Sequence, residues 1–159
     1  MARTSLLEYL HNFERNGPGV AYVTRRSYRA VRWTYAQVLR CAYQFARELD
    51  ARQISKGDRV MLWGENCAEW VVAFLGCAVQ GVIVVPMDDV AAADFAARVF
   101  QQVDAKVLVC SRAHAGEAGT VPRILLPDLA EIIRTQPSSA VSPPRRPRST
   151  SIPTSSCST

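Results

Sequence analysis

No glycine follows Gly119, no acidic residue follows Glu131, and lysine occurs only twice in 159 residues, at Lys56 and Lys106. Each shortage excludes something. Neither G-x-G-x-x-G nor G-x-x-x-x-G-K-[ST] occurs, so the loops that cradle phosphate with glycine amides and a lysine are missing. The five cysteines (Cys41, Cys67, Cys77, Cys110 and Cys157) contain no C-x-x-C pair. Close-paired zinc and dithiol motifs are thereby excluded, and the thiols read as free and buried in a reducing, cytoplasmic compartment. Met1 to Leu10 has no long apolar stretch and no small-residue cleavage site, so secretion is not expected. Trp70 to Met87 carries no charge over eighteen residues, near the lower limit for a membrane-spanning helix. Gln80-Gly81 divides it and Pro86 closes a β-branched run, so a helix followed by a buried strand explains it better than a span.

What is present describes an ordinary globular protein: 48% hydrophobic and 21% charged residues, with a formal charge of +5. The basicity belongs largely to the end of the chain, where Arg145, Arg146 and Arg148 face no acid. It therefore gives little ground for a nucleic-acid partner, and none is expected. From Pro137 the last twenty-three residues hold eight Ser, five Pro and three Thr. Such a stretch buries too little apolar surface to offset ordering and is expected to be disordered. Two regions follow, an α/β domain over 1–136 and a Pro/Ser/Arg-rich tail over 137–159.

Within the domain, Leu6, Leu7, Tyr9, Leu10 and Phe13 predict a short amphipathic helix over 5–12, ended by Gly17-Pro18-Gly19. Val20–Thr24 and Arg29–Thr34 predict a hairpin, whose Arg25, Arg26, Arg29 and Arg32 read as a solvated edge. Thr34 and Gln37 form a T-x-x-Q capping box. Behind it, Val38, Leu39, Ala42, Phe45, Ala46 and Leu49 recur at helical spacing, with Arg40, Arg47 and Glu48 toward water. Lys56-Gly57-Asp58 predicts a turn and Arg59–Trp63 a strand. Asn66 is the expected cap of a second helix, with Glu69 in its first turn and Gly81 at its end. Val82–Val85 is an apolar strand. Asp88-Asp89 are expected to charge the start of a third helix with Phe95, Val99 and Val103 in line. Lys106–Cys110 and Arg123–Leu126 are further strands, and Asp128–Arg134 a last helical turn or two. Apolar strands separated by helices of about a dozen residues imply β-α-β units and a parallel, doubly wound sheet.

Few side-chain groupings carry chemistry. Cys110, His114 and Asp128 could be drawn as a thiol hydrolase, but nothing in the spacing fixes their geometry, and a buried thiol beside a loop histidine is the simpler reading. His11 has no ligand partners. Asp88-Asp89 read as helix-charging acids rather than metal ligands. No catalytic, cofactor-binding or metal-binding residue is assigned.

The order of elements and several short strings nevertheless resemble the N-terminal subdomain of the AMP-dependent synthetase/ligase family. These adenylate-forming enzymes include the acyl-CoA synthetases. The strings are Thr34-Tyr35-Ala36-Gln37-Val38, Lys56-Gly57-Asp58-Arg59-Val60, Asn66 with Glu69-Trp70-Val71, Gly81-Val82-Ile83-Val84-Val85-Pro86, and Ala105-Lys106-Val107-Leu108-Val109. The resemblance implies a carboxylate-activating enzyme that forms an acyl-adenylate with ATP and passes the acyl group to a thiol, commonly coenzyme A, with fatty acids the commonest substrates. It also implies a Ser/Thr/Gly loop ending in Pro-Lys-Gly, a Thr-Glu motif for adenine and magnesium, a ribose-binding Asp and a C-terminal lysine. None of these stands in this chain. ATP, magnesium and coenzyme A are thus implied for a full-length member but for no residue here. Three readings follow: an N-terminal fragment inactive alone, one subunit of a split synthetase whose remainder is the partner, or a non-catalytic α/β interaction module. The abrupt change near Pro144, where the phosphate loop is due, suggests truncation or a frameshift.

Overall fold

In the computed structural model, residues 6–26, 29–117, 119–129 and 131 are described. The tail expected over 137–159, Cys157 and the helical turns beyond Glu131 lie outside the described residues, as do the side chains of Arg25, Arg26 and Arg29. A 3-10 turn at Leu6–Tyr9 leads into α1 (Leu10–Arg15). The helix therefore runs later than the 5–12 expected from periodicity. Leu10 of its apolar set is buried, while Leu6 and Tyr9 are exposed. Hairpin strands β1 (Val20–Arg26) and β2 (Arg29–Thr34) pair antiparallel, with an irregularity between Val20 and Tyr22.

The start of α2 (Tyr35–Ala51) shows how local chemistry sets a boundary. A helix leaves its first amides without intrahelical acceptors. Here the Tyr35 and Ala36 amides donate to the Gly19 and Gly17 carbonyls of the preceding turn. The Gln37 amide donates to Thr34 Oγ1 (3.2 Å), and the Thr34 amide returns to Gln37 Oε1 (2.8 Å). The capping box predicted from sequence is thus present, and the loop before it completes the cap.

Strands β3 (Arg59–Trp63), β4 (Ile83–Met87), β5 (Ala105–Cys110) and β6 (Arg123–Leu125) form a parallel sheet in the order β4-β3-β5-β6. Helices α3 (Ala68–Gln80) and α4 (Ala93–Gln102) connect β3 to β4 and β4 to β5. The period of two in a strand divides the core. Val60 and Leu62 of β3, with Val107 and Val109 of β5, join the layer that holds α2 and α3, whereas Met61, Trp63, Leu108 and Cys110 join α4. This is the doubly wound α/β architecture expected.

Helices α2 and α3 pack closely because of Gly76. A methyl group there would meet the Ala42 carbonyl oxygen and Phe45 Cδ1, each at 2.8 Å. The contact buries Phe45 fully, worth about 1.5–3 kcal/mol of transfer free energy. Gly81, at φ 77°, caps α3 in the left-handed region as expected.

Four expectations need correction. The N-cap of α3 is Cys67, not Asn66; its Sγ accepts the Trp70 amide at 3.4 Å, while the Asn66 carbonyl takes the Tyr22 hydroxyl. Asp88-Asp89 do not charge α4, which starts at Ala93 with Ala92 as cap. Its core-facing set is Ala93, Ala96, Phe100 and Val103 rather than Phe95, Val99 and Val103, because Met61 and Trp63 beneath it leave room for alanine at the closest approach. Strand β4 continues through Pro86 to Met87 and is an edge, with Ile83 and Pro86 exposed. A proline without an N–H is tolerated there because, among the described residues, nothing pairs on its outer side.

Candidate functional site at the carboxyl ends of the strands

In the order β4-β3-β5-β6 the chain leaves β3 toward one face and returns to β5 over the other. A doubly wound sheet opens a crevice where the connections diverge in this way, at the carboxyl ends of the strands. Here that point lies between β3 and β5, at Gly64-Glu65-Asn66-Cys67 and Ser111. The two loops touch: the Ser111 amide donates to the Trp63 carbonyl at 3.1 Å. A Cβ on Gly64 would come within 3.2 Å of the Ser111 amide nitrogen and 3.0 Å of Leu126 Cδ1, so the approach depends on glycine.

Beside this contact is a cavity of about 220 Å³ lined by Thr24, Glu65, Asn66, Cys67, Glu69, Ser111, Leu126 and Pro127. Ser111 Oγ is buried with no hydrogen-bond partner among the described residues. Burial pushes the Cys67 thiol above its ordinary value, reinforced by the carboxylate of Glu69 and only partly offset by the Trp70 amide. Cys67 is therefore no ready nucleophile. The cavity lining holds two carboxylates and no lysine or arginine. Nucleotide phosphates need cations and converging amides, so these residues do not fit the triphosphate of ATP.

On the α4 side of the same strand ends lies a second cluster. The His114 ring stacks on Trp63, with centroids 3.9 Å apart and planes within 7°. Its Nε2 lies 2.8 Å from Asp89 Oδ1 and its Nδ1 2.9 Å from Glu117 Oε2. The Trp63 indole N–H donates to the Asp88 carbonyl at 3.0 Å. Burial on its own lowers the His114 pKa, but the hydrogen bonds to Glu117 and Asp89 and the charges of both carboxylates outweigh it. The result lies above the ordinary 6.5.

The hydrolase drawn from Cys110, His114 and Asp128 is not assembled. Cys110 is fully buried and its thiol is pushed up by burial, His114 is held by Asp89 and Glu117, and Asp128 pairs with Arg112 at 2.8 Å. His11 lies 3.4 Å from Glu14. Lys106 pairs with Asp104 at 2.8 Å, and the stem of Lys56 lies against Gly81. Asp89 pairs with His114, and no group of three or more metal-ligating side chains occurs among the described residues. No described helix is long and apolar enough to cross a membrane. The pairing of Asp89 with His114 was not legible in sequence, since it spans 25 residues and depends on strand order.

Comparison with known proteins gives a consistent picture. The AMP-binding enzyme family matches residues 11–155. The chain is 34% identical over 116 residues to the long-chain-fatty-acid–CoA ligase FadD13 of Mycobacterium tuberculosis, covering 66% of this chain and 23% of that protein. It is 30% identical over 104 residues to the putative acyl-CoA synthetase YngI of Bacillus subtilis, covering 65% of this chain and 19% of that protein. Among solved structures, the N-terminal domain of FACL13 from Mycobacterium tuberculosis matches with a TM-score of 0.64 and 31% identity, covering 73% of this chain and 31% of that one. The chain thus spans about a fifth of the length of these curated relatives.

Proposed function

This chain belongs to the AMP-binding enzyme family, as an N-terminal portion of an adenylate-forming acyl-CoA synthetase or ligase, and we propose that it contributes scaffold rather than catalysis. In this reading residues 1–136 are its share of the synthetase's N-terminal domain. The complete protein activates a carboxylic acid with ATP and magnesium and transfers the acyl group to coenzyme A, with a fatty acid as the substrate class suggested by the FadD13 likeness. The 159 residues alone do not form the adenylate. The observation that carries the reading is the family match over 11–155 in a chain that spans 23% of FadD13. The acidic lining of the crevice supports it, because the phosphate-binding cations must then come from residues outside this stretch.

The experiment is ATP–pyrophosphate exchange with the purified 159-residue chain, magnesium and a panel of fatty acids. Exchange at background is expected; fatty-acid-dependent exchange by the chain alone would overturn the scaffold reading. Translating the coding region just downstream of the Pro144 codon in the other two frames tests the complementary half. A Ser/Thr/Gly string ending in Pro-Lys-Gly is expected in one of them, and its absence from both refutes a truncated or frameshifted origin.

A further inference from the structure

We propose that His114 is a proton-operated clamp that joins the loops leaving the carboxyl ends of β4 and β5 across the end of β3, closed while its imidazole is charged and released when it is neutral. Strand order makes the clamp possible. Strands β4 and β5 flank β3, so Asp89 beyond β4 and His114 beyond β5 reach one another across the end of β3, where Trp63 provides the platform for the ring. Carboxylate oxygens accept and do not donate. With Asp89 on Nε2 and Glu117 on Nδ1, both ring nitrogens donate, which only the imidazolium can do. Loss of one proton leaves a nitrogen lone pair facing a carboxylate oxygen, a repulsive contact that opens one arm.

The other charges near the ring are engaged elsewhere. Arg112 binds Asp128, Arg123 donates to the Ala115 carbonyl, and the Asp88 carboxylate takes the Val90 amide at 3.2 Å. On α4, Asp94 and Arg98 pair with each other at 2.9 Å. The Cys110 thiol at the end of β5 is pushed up by burial and stays neutral. Asp89 and Glu117 are therefore the groups that set the charge of the ring. Because the folded-state value lies above the ordinary 6.5, the clamp stabilises fully below pH 6.5 and is lost as pH climbs through the raised value.

Tryptophan fluorescence of the full chain between pH 5 and 9 tests it. An imidazolium stacked on an indole quenches its emission, so the Trp63 signal is expected to rise with a midpoint above 6.5. His114→Gln should abolish the transition and leave the Trp33 and Trp70 background flat. Asp89→Asn, at a half-exposed position, should fold normally and move the midpoint down. Proteolysis within residues 88–92 should accelerate over the same pH range as the fluorescence change. A midpoint at or below 6.5, a midpoint unmoved in Asp89→Asn, or a transition that survives in His114→Gln would each overturn the clamp. If His114→Gln fails to fold, the Asp89→Asn midpoint decides alone.

Discussion

Replacing Gly76 by alanine sets two effects of opposite sign against each other. In an exposed helix interior the change favours the helix by about 1 kcal/mol. At Gly76 the new methyl would lie 2.8 Å from the Ala42 carbonyl oxygen, 2.8 Å from Phe45 Cδ1 and 3.1 Å from Phe45 Cβ. The first obstacle is backbone within α2 and cannot rotate away, so relief requires α3 to withdraw. A gap of a fraction of an ångström forfeits a quarter to a half of each contact's dispersion energy, and overpacking a core costs about 1–3 kcal/mol. Packing outweighs propensity, and Gly76→Ala should destabilise the chain by about 1–2 kcal/mol, lowering Tm by roughly 3–8 °C. Gly76→Val adds two more methyl groups and should lose about 3 kcal/mol. Gly116, with nothing within 4 Å of its would-be Cβ, is the control: Gly116→Ala should stay within about 0.5 kcal/mol. Urea denaturation followed by circular dichroism measures all three. A rise in stability for Gly76→Ala would refute the close-packed helix pair.

Two further outcomes follow from the structure. Gly81→Ala forces a side chain into φ 77° and should cost about 1–2 kcal/mol, with Gly81→Asn costing less because asparagine tolerates that region; thermal melts of the pair distinguish backbone strain from the contact with Lys56. Burial pushes the Cys77 thiol up to about 12, so its thiolate is negligible at pH 8. Iodoacetamide labelling mapped by mass spectrometry should mark the half-buried Cys67 before Cys77, and equal rates in the native chain would contradict the burial of Cys77.

Sequence reasoning worked where a residue acts on its own neighbours. Thr34 and Gln37 bond within one turn, Gly81 closes its own helix, and the apolar runs at Arg59–Trp63 and Lys106–Cys110 need only burial. It faltered where a distant surface decides. Phe95 and Phe100 are equally large, yet only Phe100 shares a face with Ala96, the contact over Trp63 and Met61, and Phe95 turns outward. Asn66 is the better capping residue by type, but the helix starts one residue later and the thiol of Cys67 accepts the Trp70 amide, while the Asn66 backbone carbonyl takes the Tyr22 hydroxyl from 44 positions away. The crevice was legible only as a consequence of topology. The orphan Ser111 hydroxyl in it and the Asp89–His114–Glu117 group beside it arise from loops that only the strand order brings together.

Pro86 gives the sheet a direction of growth. On the β4 side the outer border lacks one backbone donor, and a strand arriving there could not complete its ladder. On the other side β6 is three residues long and, among the described residues, pairs only with β5. A strand added beside β4, whether from the same polypeptide or another, would forgo the hydrogen bond that Pro86 cannot donate, a loss it would not meet beside β6.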